Sequence, residues 1–89
     1  MQSTSNQWRS AIQRLIKAEM SRRDVKYQEL SDRLATIGTQ QTADNLRNKV
    51  NKGILGADLL LQIMSVLNVK TLNFDELNEI LADIQQRNA

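Results

Sequence analysis

Apolar residues return every third or fourth position along almost all of this chain, and nowhere do they alternate with polar ones. That spacing fits the 3.6-residue turn of an α-helix and excludes the two-residue repeat of a strand. Proline is absent and glycine occurs 3 times in 89 residues, so little interrupts the runs and each glycine reads as punctuation. The expected fold class is all-α: a five-helix bundle forming one domain over residues 1–89, with a helix-turn-helix at its centre.

The first helix is expected over about 5–22, with Trp8, Ala11, Ile12, Leu15, Ile16 and Met20 on one stripe. Ser3 or Ser5 suits its N-cap, and Arg22 and Arg23 complement the dipole at its end. The second is expected over about 26–36, capped by Asp24, with Tyr27, Leu30, Leu34 and Ile37 inward and Gly38 as its stop. Thr39 then suits the cap of a third helix over about 40–52, with a narrow inward face of Ala43, Leu46 and Val50, ended by Gly53. The fourth takes about 57–68, with Leu60, Ile63, Met64 and Leu67 facing the core. The fifth, about 73–86, has the sharpest start. Asn73 caps it, Glu76 completes a capping box, and Leu72 staples to Leu77. Leu77, Ile80, Leu81 and Ile84 form its apolar face.

Composition excludes most chemistry. Cysteine and histidine are both absent, which removes disulfides, thiol nucleophiles and the ligands that zinc and other transition metals need. Ser31 and Ser65 have no imidazole to serve as base, and the carboxylates are scattered. No enzyme and no cofactor are expected. The opening MQSTSNQW lacks the apolar segment of a signal peptide, and no apolar run approaches the ~20 residues of a membrane span. The expected location is the cytoplasm. Net charge is +2, unevenly distributed: residues 1–70 hold 11 Lys/Arg against 6 Asp/Glu, residues 71–89 hold 1 against 4. A basic body with an acidic end admits a nucleic-acid partner.

Helix three is the element with functional content. With Ala43, Leu46 and Val50 turned inward at 100° per residue, Gln41, Asn45, Asn48 and Lys52 point away from the core. Asp44 and Asn51 flank them, with Arg47 further round and Lys49 on the opposite border. Five amides (Gln40, Gln41, Asn45, Asn48 and Asn51) crowd one short helix. Asparagine is a poor helix former, and a plain solvated face would favour Glu, Lys and Arg. Amides pair with adenine N6 and N7 in the major groove, and Arg and Lys reach guanine or phosphate. Asp44 would repel phosphate, unless it accepts from cytosine N4 or orients Arg47.

From Val25 to Leu77 the string VKYQELSDRLATIG…NLRNKVNKGILGADLLLQIMSVLNVKTLNFDEL resembles the lambda-repressor-like helix-turn-helix domains of bacterial and phage regulators. Leu30, Ser31 and Leu34 match the pattern of their second helix. Lys52-Gly53 matches the end of the recognition helix, Val66 to Val69 the end of helix four, and Leu72 to Leu77 the start of helix five. Two departures stand out. Ala35-Thr36-Ile37 intervene before Gly38 where the family places glycine directly after the second leucine, so helix two or its turn is longer by about one turn. Tyr27 stands where those domains carry a phosphate-binding Gln, a role that Gln28 or the Tyr27 hydroxyl would fill. More closely, Trp8 to Leu67 resembles a small bacterial family, known as a domain of unknown function, that shares W…LIKAEM, YQEL, IG and NLRNKVNKG. That resemblance implies the fold and brings no activity.

The expected function is sequence-specific binding of double-stranded DNA by a small transcriptional regulator. Gln41, Asn45, Asn48 and Lys52 would read bases. Tyr27, Gln28, Gln40, Thr42, Arg47 and Lys49, with Arg22, Arg23 or Lys26, would hold phosphates. The alternative is a protein-interaction module, an accessory or antitoxin-like factor that keeps the fold without DNA. A homodimer through helix five is expected if its Ile80/Leu81/Ile84 face is free; otherwise that face closes the core.

Overall fold

The computed structural model describes residues 4–87, in which five helices and no strand are present. In chain order they are α1 (Thr4–Arg22), α2 (Tyr27–Thr36), α3 (Ala43–Lys52), α4 (Ala57–Val66) and α5 (Phe74–Arg87). The all-α expectation holds, and every expected helix exists.

The helix ends depart from expectation where two residues compete for one role. Helix α1 already contains Ser5, so that residue is not its cap; Ser3 lies outside the described residues. Asp24 does not cap α2. It takes a left-handed backbone, φ 53, and closes α1 instead: the Val25 N–H donates back to the Met20 carbonyl at 2.9 Å. Asp is one of the few residues that tolerate that conformation. Lys26 occupies the α2 cap position with no side-chain bond. Helix α2 runs past Leu34 to Thr36, and its turn starts with exposed Ile37, 51% accessible rather than inward, and Gly38 at φ 86.

Helix α3 begins at Ala43, capped by Thr42, whose Oγ1 accepts from the Asn45 N–H at 3.0 Å. Thr39 does not cap it; its hydroxyl donates to Gln62 Oε1 at 3.0 Å. Gln40 and Gln41 therefore precede the helix. Asn73 caps α5 as expected, its Oδ1 accepting from the Glu76 N–H at 3.1 Å. The Glu76 carboxylate turns away to Arg22 of α1 at 2.6 Å, which forgoes the reciprocal half of the capping box.

One large cluster unites α1 to α4. Ile16, Leu30, Leu34, Leu46, Val50, Ile63 and Leu67 are fully enclosed within it. Each such aliphatic side chain contributes about 1.5–3 kcal/mol. On α4 the inward residues are Leu59, Ile63 and Met64, followed by Leu67 at its C-cap; Leu60 is only half-buried. Trp8 sits at the rim at 44% exposure. A second, separate cluster joins Leu77, Leu81 and Ile84 of α5 to Ala11 of α1. Ion pairs Arg14–Asp83 (2.7 Å) and Arg22–Glu76 rim it. The apolar face of α5 thus closes on α1, with Ile80 half-buried at its edge, and is not free for a partner.

Helices α1 and α3 pack antiparallel. Lys17 and Ser21, late in α1, share a pocket with Ala43, Asp44 and Arg47 early in α3. At the other end Gly53, just past α3, presses on the Arg9 backbone so closely that a β-carbon there would lie 2.2 Å from the Arg9 carbonyl oxygen. Glycine is required here twice over, by that approach and by φ 65.

Candidate nucleic-acid interface

The inward row of α3 consists of Leu46 and Val50, both at 0% exposure, with Ala43 half-buried beside them. The opposite side follows from helical geometry. Asn45, Asn48 and Lys52, at spacings of three and four, are all exposed, and Asn51 stands beside them. Among the described residues no hydrogen bond engages the side-chain amides of Asn45, Asn48 or Asn51. Three amides with free donors and acceptors thus project from one helix face.

Gln41 does not join them. It lies before the helix, half-buried, and is tied down twice. Its carbonyl accepts from the Ser31 hydroxyl at 2.5 Å, and its side-chain oxygen accepts from the Lys49 ammonium at 3.1 Å. The outward placement expected for it presupposed a helix that began three residues earlier. Lys49 is correspondingly half-buried against Gln41. Gln40 and Thr42 are exposed beside the start of α3. Thr42 uses an oxygen lone pair in the cap and keeps its hydroxyl proton for an outside acceptor.

Tyr27 contradicts the expectation for its hydroxyl. That atom is buried with no partner among the described residues and does not reach the surface where phosphate would lie. Burial pushes the phenol pKa up, against an opposing pull from Arg47. The ring instead supports Arg47, whose guanidinium carbon stands 5.2 Å from the ring centroid in cation–π geometry. Arg47 also pairs with Asp44 at 2.6 Å, so Asp44 orients Arg47. Gln28 is exposed and donates to Asp32 at 3.1 Å.

Basic groups gather at both ends of the amide row. At the start of α3 an open pocket of about 650 Å³ is lined by Lys17, Lys26, Gln28 and Arg47, with Asp24 and Asp44. The first turn of α2 borders it, and Lys26 offers that turn no side-chain cap, so its N–H groups carry the positive end of the helix dipole. At the far end Arg9 and Lys52 share a second hollow of about 390 Å³ with Gln13 and Asn51. Arg9 and Lys17 escaped sequence reasoning, because their place beside α3 depends on the antiparallel packing of α1. Arg22 and Arg23, expected near phosphates, are taken by Glu19, which is 7% exposed, and Arg22 also by Glu76.

Among the described residues no group of acidic residues could hold a metal ion, and no helix is long and apolar enough to cross a membrane. No curated protein and no solved structure matches the chain. The family model of the Domain of unknown function (DUF6471) matches residues 8–72, which spans α1 from Trp8 through α4 and stops before α5. The chain belongs to the DUF6471 family, a domain of unknown function.

Proposed function

We propose that this protein binds double-stranded DNA with sequence preference, using α3 as a recognition helix on a lambda-repressor-like scaffold, and acts as a small transcriptional regulator. The observation that carries this is the unpartnered amide row Asn45, Asn48 and Asn51 on an exposed helix face with basic residues at both ends. Amides read base edges, and the flanking cations hold phosphates on either side of a groove. Asn45, Asn48 and Lys52 contact bases. Lys26, Arg47, Gln28, Gln40 and Thr42 meet the backbone at one end, and Arg9 meets it at the other. The uncapped first turn of α2 supplies N–H donors to the same strand. Two copies would occupy half-sites about 34 Å apart.

Selection from a random duplex pool with purified protein tests the proposal. A recovered half-site motif whose binding weakens steeply with salt is the expected result. Recovery of random sequence, with no salt-dependent retention, refutes it.

One observation favours a second reading, a protein-interaction module on the same scaffold. Asp44, with its side chain 87% exposed, stands at the entrance of α3 and already pairs with Arg47. Salt-independent capture of a protein partner by a chain that selects no duplex is the outcome it predicts.

A further inference from the structure

Most of the groups on α3 that could read a base edge are already engaged within the chain. The guanidinium of Arg47 lies over the Tyr27 ring at 5.2 Å and pairs with Asp44 at 2.6 Å. That bond occupies the helix's one carboxylate as well. Lys49 donates to the Gln41 side chain at 3.1 Å. Lys52 has no partner among the described residues, but it comes a full turn after Asn48, at the end of the helix, and Asn51 lines the hollow that it shares with Arg9. Over the first two turns this leaves Asn45 and Asn48, both exposed and with their side-chain amides unbonded. They are three residues apart, about 4.5 Å along the helix axis. Successive base pairs are about 3.4 Å apart, so the two amides are spaced to meet neighbouring pairs.

We propose that the preferred duplex carries two neighbouring A·T pairs whose adenines meet Asn45 and Asn48 in the major groove; this rests on the reading of α3 as a recognition helix. An amide offers an acceptor and a donor side by side. Adenine presents the converse in the major groove, an N6–H donor beside the N7 acceptor, so one base satisfies both ends of the amide. Guanine presents two acceptors, O6 and N7, which suit Arg or Lys. Facing guanine, the asparagine oxygen would lose its water and gain no donor, a penalty larger than the worth of an ordinary bond. With Arg47 held against Tyr27 and Asp44, no guanidinium is left beside the two amides to reverse that preference.

Selection from random duplexes supplies the motif, and 7-deazaadenine then tests each contact, because it lacks the N7 acceptor and keeps Watson–Crick pairing. Two neighbouring A·T pairs are expected in the half-site. Placing 7-deazaadenine at either should weaken binding at least about fivefold. Asn48→Ala should remove that sensitivity at one pair and keep it at the other, and Asn45→Ala should do the reverse. A half-site centred on G·C pairs, or adenines at which the substitution is silent, overturns the adenine assignment and leaves DNA recognition by α3 standing. Failure to select any sequence refutes the recognition reading itself, and this inference with it.

Discussion

Gly53 is the position where one added carbon tests the architecture most directly. A β-carbon there would stand 2.2 Å from the Arg9 carbonyl oxygen and 2.7 Å from the Arg9 carbonyl carbon and Cα. All three are backbone atoms on the middle of a long helix, so no side chain can swing aside. Gly38 is the internal control, since its φ of +86 is also left-handed but nothing lies within 4 Å of the built carbon. Gly38→Ala thus incurs only the conformational term, about 1–2 kcal/mol. Gly53→Ala adds the separation of α1 from α3, about 1–3 kcal/mol more by analogy with overpacked cores. Against a total of about 4–13 kcal/mol for a chain this size, that is a large share. Urea unfolding followed by circular dichroism, at roughly 1 kcal/mol per molar, should lower the midpoint by about 1–2 M for Gly38→Ala and by at least a further 1 M for Gly53→Ala. If the Gly53 variant does not fold in buffer, an osmolyte such as trimethylamine oxide recovers a measurable transition. Equal midpoints for the two variants would refute the close α1–α3 approach, and with it the pairing of Arg9 and Lys52 at one end of the interface.

Three further outcomes are expected. Asn48→Ala should leave thermal stability unchanged and relax preference at one or two base positions by about 1–3 kcal/mol each, measured by competition with point-substituted duplexes; unchanged selectivity would place base reading elsewhere. Tyr27→Phe should stabilise by about 1 kcal/mol, because it removes a buried hydroxyl that has no partner, and a lower Tm would mean that the hydroxyl is bonded. The Arg14 guanidinium hydrogen-bonded to Asp83 holds that carboxyl below its ordinary value of 3.8; the contribution is therefore present above that value and lost as pH falls through the depressed one. Asp83→Asn should accordingly lower Tm at pH 7 by a deficit that shrinks as pH falls below 3.8, and a deficit independent of pH would exclude the ion pair as the cause.

The periodicity of apolar residues was enough to recover five helices, their order and most of the core, because burial of one stripe is a property each helix writes into its own residues. Boundaries were less legible where neighbours offered the same chemistry. Thr39 and Thr42 are equally good caps by type, and only the hydrogen bond from Thr39 to Gln62 on α4 removes the first from competition. Gln41 depends on the same choice: within a helix it would face outward, whereas in the connection it is held by Ser31 and Lys49. Asp24 ends α1 through its left-handed backbone, two residues short of the cap position of α2, which falls to Lys26 with no side-chain bond. Leu59 in place of Leu60 is a rotation of one position on an α4 so rich in leucine that its own pattern does not fix its orientation. The exposed amides Asn45 and Asn48 could be read in advance because they lie opposite Leu46 and Val50 within one short helix. Arg9 and Lys17 could not, since their neighbours come from a distant part of the chain.

Helix α5 leans on a single neighbour through a cluster of its own, and the family segment ends before it begins. Detaching it would uncover Ala11 and one seam while leaving the larger cluster of α1 to α4 closed. The domain therefore holds two tiers of opening free energy, a lower one for its last helix and a higher one for the rest. Amide exchange should record them as two separate groups of protection factors, with residues 77–84 falling in the faster group at every temperature.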